Sequence, residues 1–363
     1  MLRISFKTNV DLPLMRGLLL SAFFAGSAVL LSSCGGGSSS SSPAPVTVTP
    51  PAAPPPSIIT ERPSAPEAAP EGPDFHPSGK GWELAWSDEF DGTALDISKW
   101  SMEHACWGGG NNEKQCYTDR EDNVEVVNGL LRIVALEESF TGPDFPGDTR
   151  QKTQPYTSGK VITRELASWK YGRFSFRAKL PEGQGAWPAF WMLAATDTYG
   201  STWPLSGEID IMEAVNLGAR CDSCSGTDGE NRTSNAIHFG SEFPNNQYVD
   251  NRTELADQSN PADGYHVWAV EWGKGKMDWY LDGIKYSTIE NNQWYTDAAP
   301  DNPDAPFDAA FYLIINLAIG GNFPEPLNAT GIAKSTLPNQ LLVDWVRVHQ
   351  CASDIETGLA CME

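Results

Sequence analysis

The sequence predicts an all-β fold, a β-sandwich of the jelly-roll kind, over residues 79–350. Three observations lead there. Short runs alternate apolar with polar residues, as in Tyr265-His-Val-Trp-Ala-Val-Glu-Trp272. Turn signals separate them: Asn128-Gly129, Gly273-Lys-Gly275 and Asp282-Gly283, of which Asn-Gly is the strongest short-range hairpin signal. No long stretch repeats its apolar residues with helical spacing, which excludes α/β barrels and helical bundles. About 270 residues of short strands suit one sandwich. There is no internal repeat.

Ahead of the sandwich the chain reads as an address and a tether. Residues 17–31 form an apolar run of 15, too short to span a bilayer and typical of a signal-peptide core. Asp11 is out of place in a signal's basic region, and initiation at Met15 would remove it. The run closes at Leu31-Ser-Ser-Cys34, which resembles a bacterial lipobox. Residues 1–33 would then be a lipoprotein signal and Cys34 the acylated first residue of the mature chain. Gly35 resembles the outer-membrane sorting pattern, so an exported, lipid-anchored protein of the outer membrane or cell surface is expected. The rival reading is an ordinary secretory peptide with a chance cysteine. Residues 34–78, Gly/Ser-rich and then Pro/Ala-rich, cannot build a core. They are expected to form a tether reaching roughly 35–40 Å.

Within the sandwich, Ser206-Gly-Glu-Ile-Asp-Ile-Met-Glu-Ala214 places Glu208, Asp210 and Glu213 inside six residues of a β-prone run. Desolvating carboxylates is costly unless they are paired or used. Alternation puts Glu208 and Asp210 on one face, with Ile209 and Ile211 on the other. Glu213 falls out of phase, and a β-bulge absorbing one extra residue, most simply Met212, would return it to the face of Glu208. The two glutamates would stand roughly 13 Å apart along the backbone, and leaning side chains would close much of that gap. Three clustered acids cannot all ionise, so at least one should hold its proton at an elevated pKa. Two carboxyl groups in different protonation states are the equipment for cleaving a glycosidic bond, by retention or by inversion. The bland alternative is a solvated acidic strand face.

The flanking sequence narrows the choice. Trp169-Lys-Tyr-Gly-Arg173, Gly183-Gln-Gly-Ala-Trp-Pro-Ala-Phe-Trp-Met-Leu193 and Trp203-Pro204 precede the acids. His238-Phe-Gly240, Trp279-Tyr-Leu-Asp-Gly283, Phe311-Tyr-Leu-Ile-Ile-Asn316 and Val343-Asp-Trp-Val-Arg-Val348 follow. In this order the set resembles glycoside hydrolase family 16, specifically its bacterial laminarinase-like endo-β-1,3-glucanases. The resemblance implies a concanavalin A-like jelly roll with a concave substrate cleft. It implies Glu208 as nucleophile, Glu213 as acid and base, and Asp210 as the residue that hydrogen-bonds Glu208 and keeps Glu213 protonated. Met212 matches the bulged motif of laminarinases, agarases and carrageenases, which lichenase-type members lack. Phe323 stands where laminarinases often carry Trp. Asn112, Arg164 and Asn316 fall where similar enzymes contact sugar hydroxyls, or each could serve a turn or surface pair. The activity expected is retaining, endo-acting hydrolysis of neutral β-1,3-glucan. The alternatives are an agar- or carrageenan-type galactan hydrolase and a glucan-binding surface protein without hydrolysis.

Composition fits this reading. With 13 Trp, 10 Tyr and 15 Phe, aromatic faces are available for sugar rings. Trp187 and Trp191 share strand parity if the segment at Pro188 stays extended, and Trp203 lies next to the acids. Core packing is the competing role for each. Trp82 with Trp86, and Trp268 with Trp272, alternate like sandwich interior. His238 could approach Glu213 from a neighbouring strand, or be a hydrogen-bonded structural histidine. A net charge of −22 argues against nucleic acid and does not favour a sulfated polysaccharide; a monomer acting on a neutral glucan is expected. Beyond Cys34 six cysteines remain, an even number suited to disulfides in an exported chain. Sequence neighbours are the expected pairs: Cys106–Cys116, Cys221–Cys224, and Cys351–Cys361 closing a tail over residues 351–363. A redox or zinc role for Cys221 and Cys224 lacks a second ligand pair. No cofactor is expected for catalysis. The resemblance suggests a structural Ca²⁺ held by Glu89, the Gly129 carbonyl and Asp344, although these are equally well read as ordinary surface residues.

Overall fold

A computed structural model describes residues 61–76, 80–224 and 229–362. The signal segment, Cys34 and the first part of the tether lie outside the described residues. The rest is built from strands, with two short 3₁₀ turns at Lys334–Thr336 and Leu359–Cys361. In chain order the strands that matter here are β1 (Trp82–Asp88), β2 (Ser101–Met102), β3 (Gln115–Tyr117), β4 (Val124–Val127), β5 (Leu130–Pro143), β6 (Gln151–Ser158), β7 (Lys160–Ile162), β8 (Gly172–Lys179), β9 (Ala186–Ala194), β10 (Glu208–Ala214), β11 (Arg232–Phe239), β12 (Gln247–Glu254), β13 (His266–Gly273), β14 (Lys276–Leu281), β15 (Ile284–Glu290), β16 (Phe311–Ile319) and β17 (Asn339–Cys351).

They form a jelly-roll sandwich of two sheets. One has the order β15-β14-β13-β8-β17-β5-β6-β3, with β1 added on β17 and β4 on β5; the other runs β12-β11-β10-β9-β16-β7-β2. The anticipated hairpins are present. Asn128 and Gly129 take φ values of 53° and 76°, and Asp282 and Gly283 of 48° and 76°, the doubly left-handed geometry that matches the twist of paired strands. Between the sheets lies an aromatic core in which Trp268, Trp272 and Trp279 are fully buried. Their indole N–H groups are used across the layer: Trp279 donates to the Asp210 carbonyl at 3.1 Å and Trp268 to Thr233 Oγ1 at 3.2 Å. Satisfying these donors keeps the large rings inexpensive to bury and ties β10 and β11 to the opposite sheet. Trp82 departs from the expectation of sandwich interior. A bulge between Leu84 and Trp86 shifts the phase of β1, and Trp82 packs instead with Cys351 and Cys361 in a separate cluster. All three neighbour disulfides are formed.

Residues 61–76, anticipated as free tether, lie on the larger sheet. Arg132 donates to the Pro63 carbonyl at 2.8 Å, Asn128 to that of Pro66 at 2.9 Å, and Arg173 to that of Phe75 at 3.2 Å. Arg347 pairs with Asp74 at 3.4 Å, and the His76 ring stacks on His349 at 4.3 Å. A Pro-rich segment outside any ladder keeps its carbonyls free as acceptors, and Arg132, Arg173 and Asn128 supply the donors. Composition predicts that such a segment has no core; it says nothing of a face to lie on.

Candidate active site

The acids stand on β10, and its pairing explains their common face. Against β11, Asp210 pairs with Ala236 and Glu213 with Ser234; against β9, Asp210 pairs with Trp191 and Met212 with Phe190. One extra residue is therefore absorbed between Asp210 and Glu213. Ile211 and Met212 are both buried in the core, so two successive side chains point inward and Glu213 swings back beside Glu208 and Asp210. All three line one cleft with Gly109, Asn111, Glu113, Tyr117, Lys160, Trp187, Trp191 and Asn316.

Each glutamate is held by an indole. Trp203 Nε1 donates to Glu208 Oε2 at 2.8 Å, and Trp187 Nε1 to Glu213 Oε1 at 2.9 Å. The expected hydrogen bond from Asp210 to Glu208 is not formed. Asp210 Oδ2 is buried without a hydrogen-bond partner and acts on its neighbours through charge. Burial first, and Asp210 second, push Glu208 up to about 7 and Glu213 up to about 8. Glu208 keeps 14 % side-chain exposure, so surrounding protein desolvates it while leaving it open to a ligand.

His238 sits opposite Glu208 in the ladder. Its Nε2 lies 3.3 Å from Asp210 Oδ2 and 3.8 Å from Glu208 Oε1, so it serves those two acids rather than chiefly Glu213. Burial alone would lower its pKa, but the adjacent Asp210 and Glu208 outweigh it and hold the imidazolium up to about 9. The donor atoms of Glu208, Asp210 and His238 lie within 4.8 Å of one another, yet a protonated imidazole is a counter-ion and not a metal ligand. Cys221, Cys224 and Glu230 also converge, but the cysteines are oxidised to a disulfide and offer no thiolate.

The other residues singled out by sequence have mixed placements. Pro188 leaves β9 extended, so Trp187 and Trp191 do share the cleft face. Trp187 is nevertheless packed on Val215, Ala318, Phe323 and Leu327, with the Phe323 ring edge-on at 5.3 Å. Trp191 is more open, with Lys160 Nζ 5.2 Å from its ring centre. Asn316 is in the cleft, accepting from Trp191 Nε1 at 2.7 Å and donating to Tyr117 Oη at 3.0 Å. Asn112 turns aside to donate to Asn322 Oδ1 at 3.0 Å, while its neighbour Asn111 lines the cleft. Arg164 lies on an adjoining recess with Trp203 and Tyr312. Of the suggested Ca²⁺ ligands, Glu89 is bonded through both oxygens to Arg347, and Asp344 through Oδ2 to Arg177. Two guanidinium groups already neutralise these acids, which supports the reading of them as ordinary surface residues.

Sequence reasoning missed the support beneath the cleft. Tyr117 Oη donates to Glu113 Oε2 at 3.1 Å, Gln115 donates to the same oxygen at 2.6 Å, and the buried Lys160 and Glu103 pair at 3.0 Å. Burial raises the Glu113 pKa. A lysine in the β-prone run Lys160-Val-Ile162 was the available signal, but its partner lies 57 positions away, from Glu103 to Lys160.

Residues 82–351 match the family model described as "Beta-porphyranase A-D, GH16 domain". The chain is 44 % identical over 282 residues to glucan endo-1,3-beta-glucosidase A1 of Niallia circulans, covering 76 % of this chain and 39 % of that one. It thus spans well under half the length of that relative. It is 39 % identical over 272 residues to the beta-glucanase of Rhodothermus marinus, covering 74 % and 85 %. Among solved structures, the laminarinase from Rhodothermus marinus superposes with a TM-score of 0.61 at 35 % identity, covering 74 % of this chain and 97 % of that chain.

Proposed function

The chain belongs to glycoside hydrolase family 16, and we propose that it is an endo-acting β-1,3-glucan hydrolase working by double displacement. The observation that carries the reading is the β10 bulge, which brings Glu208 and Glu213 to one face of one cleft with Asp210 between them. Glu208, the less basic of the two, attacks the anomeric carbon as carboxylate. Glu213 holds its proton to a higher pH and gives it to the departing oxygen, so the chain breaks and a glycosyl ester forms on Glu208. Glu213, now ionised, takes a proton from water; the water oxygen attacks the anomeric carbon and Glu208 leaves. His238 and Trp203 stabilise the Glu208 carboxylate, and the charge of Asp210 keeps the Glu213 proton in place. This chemistry needs no cofactor.

The names of the similar glucanases support the β-1,3-glucan substrate. Release of reducing sugar from laminarin, exceeding that from agarose, κ-carrageenan or porphyran, is the test. The galactan reading has one observation of its own, the porphyranase description of the matching family model, and activity confined to galactans would establish it instead. Glu208→Gln should abolish turnover while leaving oligosaccharide affinity nearly intact, and a variant with undiminished rate would remove the nucleophile assignment. A binding protein without hydrolysis would show laminarin affinity and no turnover at all.

The reading extends to location. Cys34 as a lipidated N-terminus would hold a monomeric enzyme at a bacterial outer membrane or cell surface. The lipobox-like Leu31-Ser-Ser-Cys34 supports it. Labelled fatty acid should enter the protein and be lost in Cys34→Ala.

A further inference from the structure

The face that carries the acids continues for two strands beyond them. Register extends it in rows: Glu208 pairs with His238 and His238 with Tyr248; Asp210 with Ala236 and Ala236 with Asp250; Glu213 with Ser234 and Ser234 with Arg252. Directly paired residues of an antiparallel ladder project to one side. Tyr248, Asp250 and Arg252, on the edge strand β12, therefore overlook the same side as the acids. Their sequence neighbours go the other way: Asn251 donates to Ser287 of the opposite sheet at 3.0 Å and Val249 packs on the core.

The rows have a profile. Ala236 and Ser234 in the middle are small and buried, whereas Asp250 and Arg252 are exposed and Tyr248 is 62 % exposed. The result is a trough beside the acids with β12 as its far lip, two strand spacings or about 10 Å from β10. Tyr248 also ends a line of rings that begins at Glu208. Trp203 bonds that glutamate, its ring is 5.4 Å from His238, and His238 is 5.7 Å from Tyr248. Asp250 and Arg252 form no hydrogen bond or ion pair through their side chains among the described residues. Charges on an edge strand discourage unwanted pairing, but that role gives no reason for an exposed tyrosine on the edge strand facing the side of the acids.

We propose that β12 is the far wall of the substrate groove, an outer subsite where Tyr248 stacks on a sugar ring of a β-glucan chain and Asp250 and Arg252 bond its hydroxyls. The assignment rests on the glucan reading above and deepens it. Opposite charges side by side suit a neutral polyhydroxyl ring, since a sulfate ester drawn to Arg252 would also meet the Asp250 carboxylate. A polymer held here lies across the acids, with the bond to be cut away from its ends.

The test compares Tyr248→Ala and Tyr248→Phe with the unaltered enzyme on laminarihexaose and on laminaribiose, whose single ring on either side of the scissile bond falls short of the edge strand. Tyr248→Ala should lower kcat/KM on the hexaose about two- to tenfold, leave the biose rate and the melting temperature unchanged, and shift the lengths of the hexaose products. Tyr248→Phe keeps the ring and should match the unaltered enzyme. Equal losses on both substrates, or none on either, would overturn the subsite. Failure of the unaltered enzyme to cut laminarin would overturn the glucan reading itself, a result read before any variant is made.

Discussion

Replacing His238 with glutamine tests the electrostatics of the site most directly. Glutamine keeps a neutral polar side chain beside Asp210 but removes the charge. With Nε2 3.8 Å from Glu208 Oε1, Coulomb attraction at an effective dielectric constant of ~20 is roughly 4 kcal/mol, or about three pKa units. The two side chains keep 22 % and 14 % exposure, so solvent screens part of this, and a shift of about one to two units is the working figure. The direction is fixed: losing a cation makes the Glu208 carboxylate harder to form. Its pKa, which burial and then Asp210 push up to about 7, should rise further, moving the acid limb of kcat/KM to higher pH, since that parameter reports the free enzyme. Below the limb each unit costs about tenfold, so activity on laminarin at about pH 6 should fall roughly 10- to 100-fold and recover in part at alkaline pH. An acid limb that stays in place, in a variant that melts like the parent, would refute the role given to His238.

The unaltered enzyme should show a narrow bell in kcat/KM, with limbs set by Glu208 near 7 and Glu213 near 8; a rate flat across that interval would contradict the assignment. Trp187→Phe removes a hydrogen bond that favours the ionised Glu213, so the alkaline limb should move up, by at most about one unit. Glu213→Gln should change stability with a definite sign. Because the folded pKa is raised, the unfolded chain sheds its proton first, and the native protein loses stability as pH rises from about 4.5 to about 8. The glutamine variant escapes this loss, so its melting temperature should exceed that of the parent at pH 8 more than at pH 4. Met212→Ala should cost about 2–4 kcal/mol in denaturant unfolding, because a fully buried side chain is deleted at the bulge.

Local rules made much of the molecule legible. Alternation and turn chemistry identify strands and hairpins because they act within a few residues, and neighbouring cysteines paired because short loops close readily. The out-of-phase Glu213 was itself the sign of the bulge: an acid that violates alternation in a core strand must be returned to the open face or left buried and unpaired. Failures came where partners are distant. Asp210 was expected to bond Glu208, but Trp203 does so, and the phase shift in β1 took Trp82 out of the sandwich interior. Residues 61–76 read as tether because composition reports the lack of a core, whereas the arginines of the larger sheet decide where the segment rests.

What the sequence determined by itself is the chemistry on offer: three acids on one strand, the residue that realigns them, and enough aromatic surface to meet sugars. Tertiary structure decided how that chemistry is tuned. The pKa order of Glu208 and Glu213, the imidazolium at His238 and the indole clamps depend on burial and on distances across paired strands. Those distances join residues far apart in the chain, and Coulomb and desolvation energies depend on separation in space, so no local pattern could have supplied them.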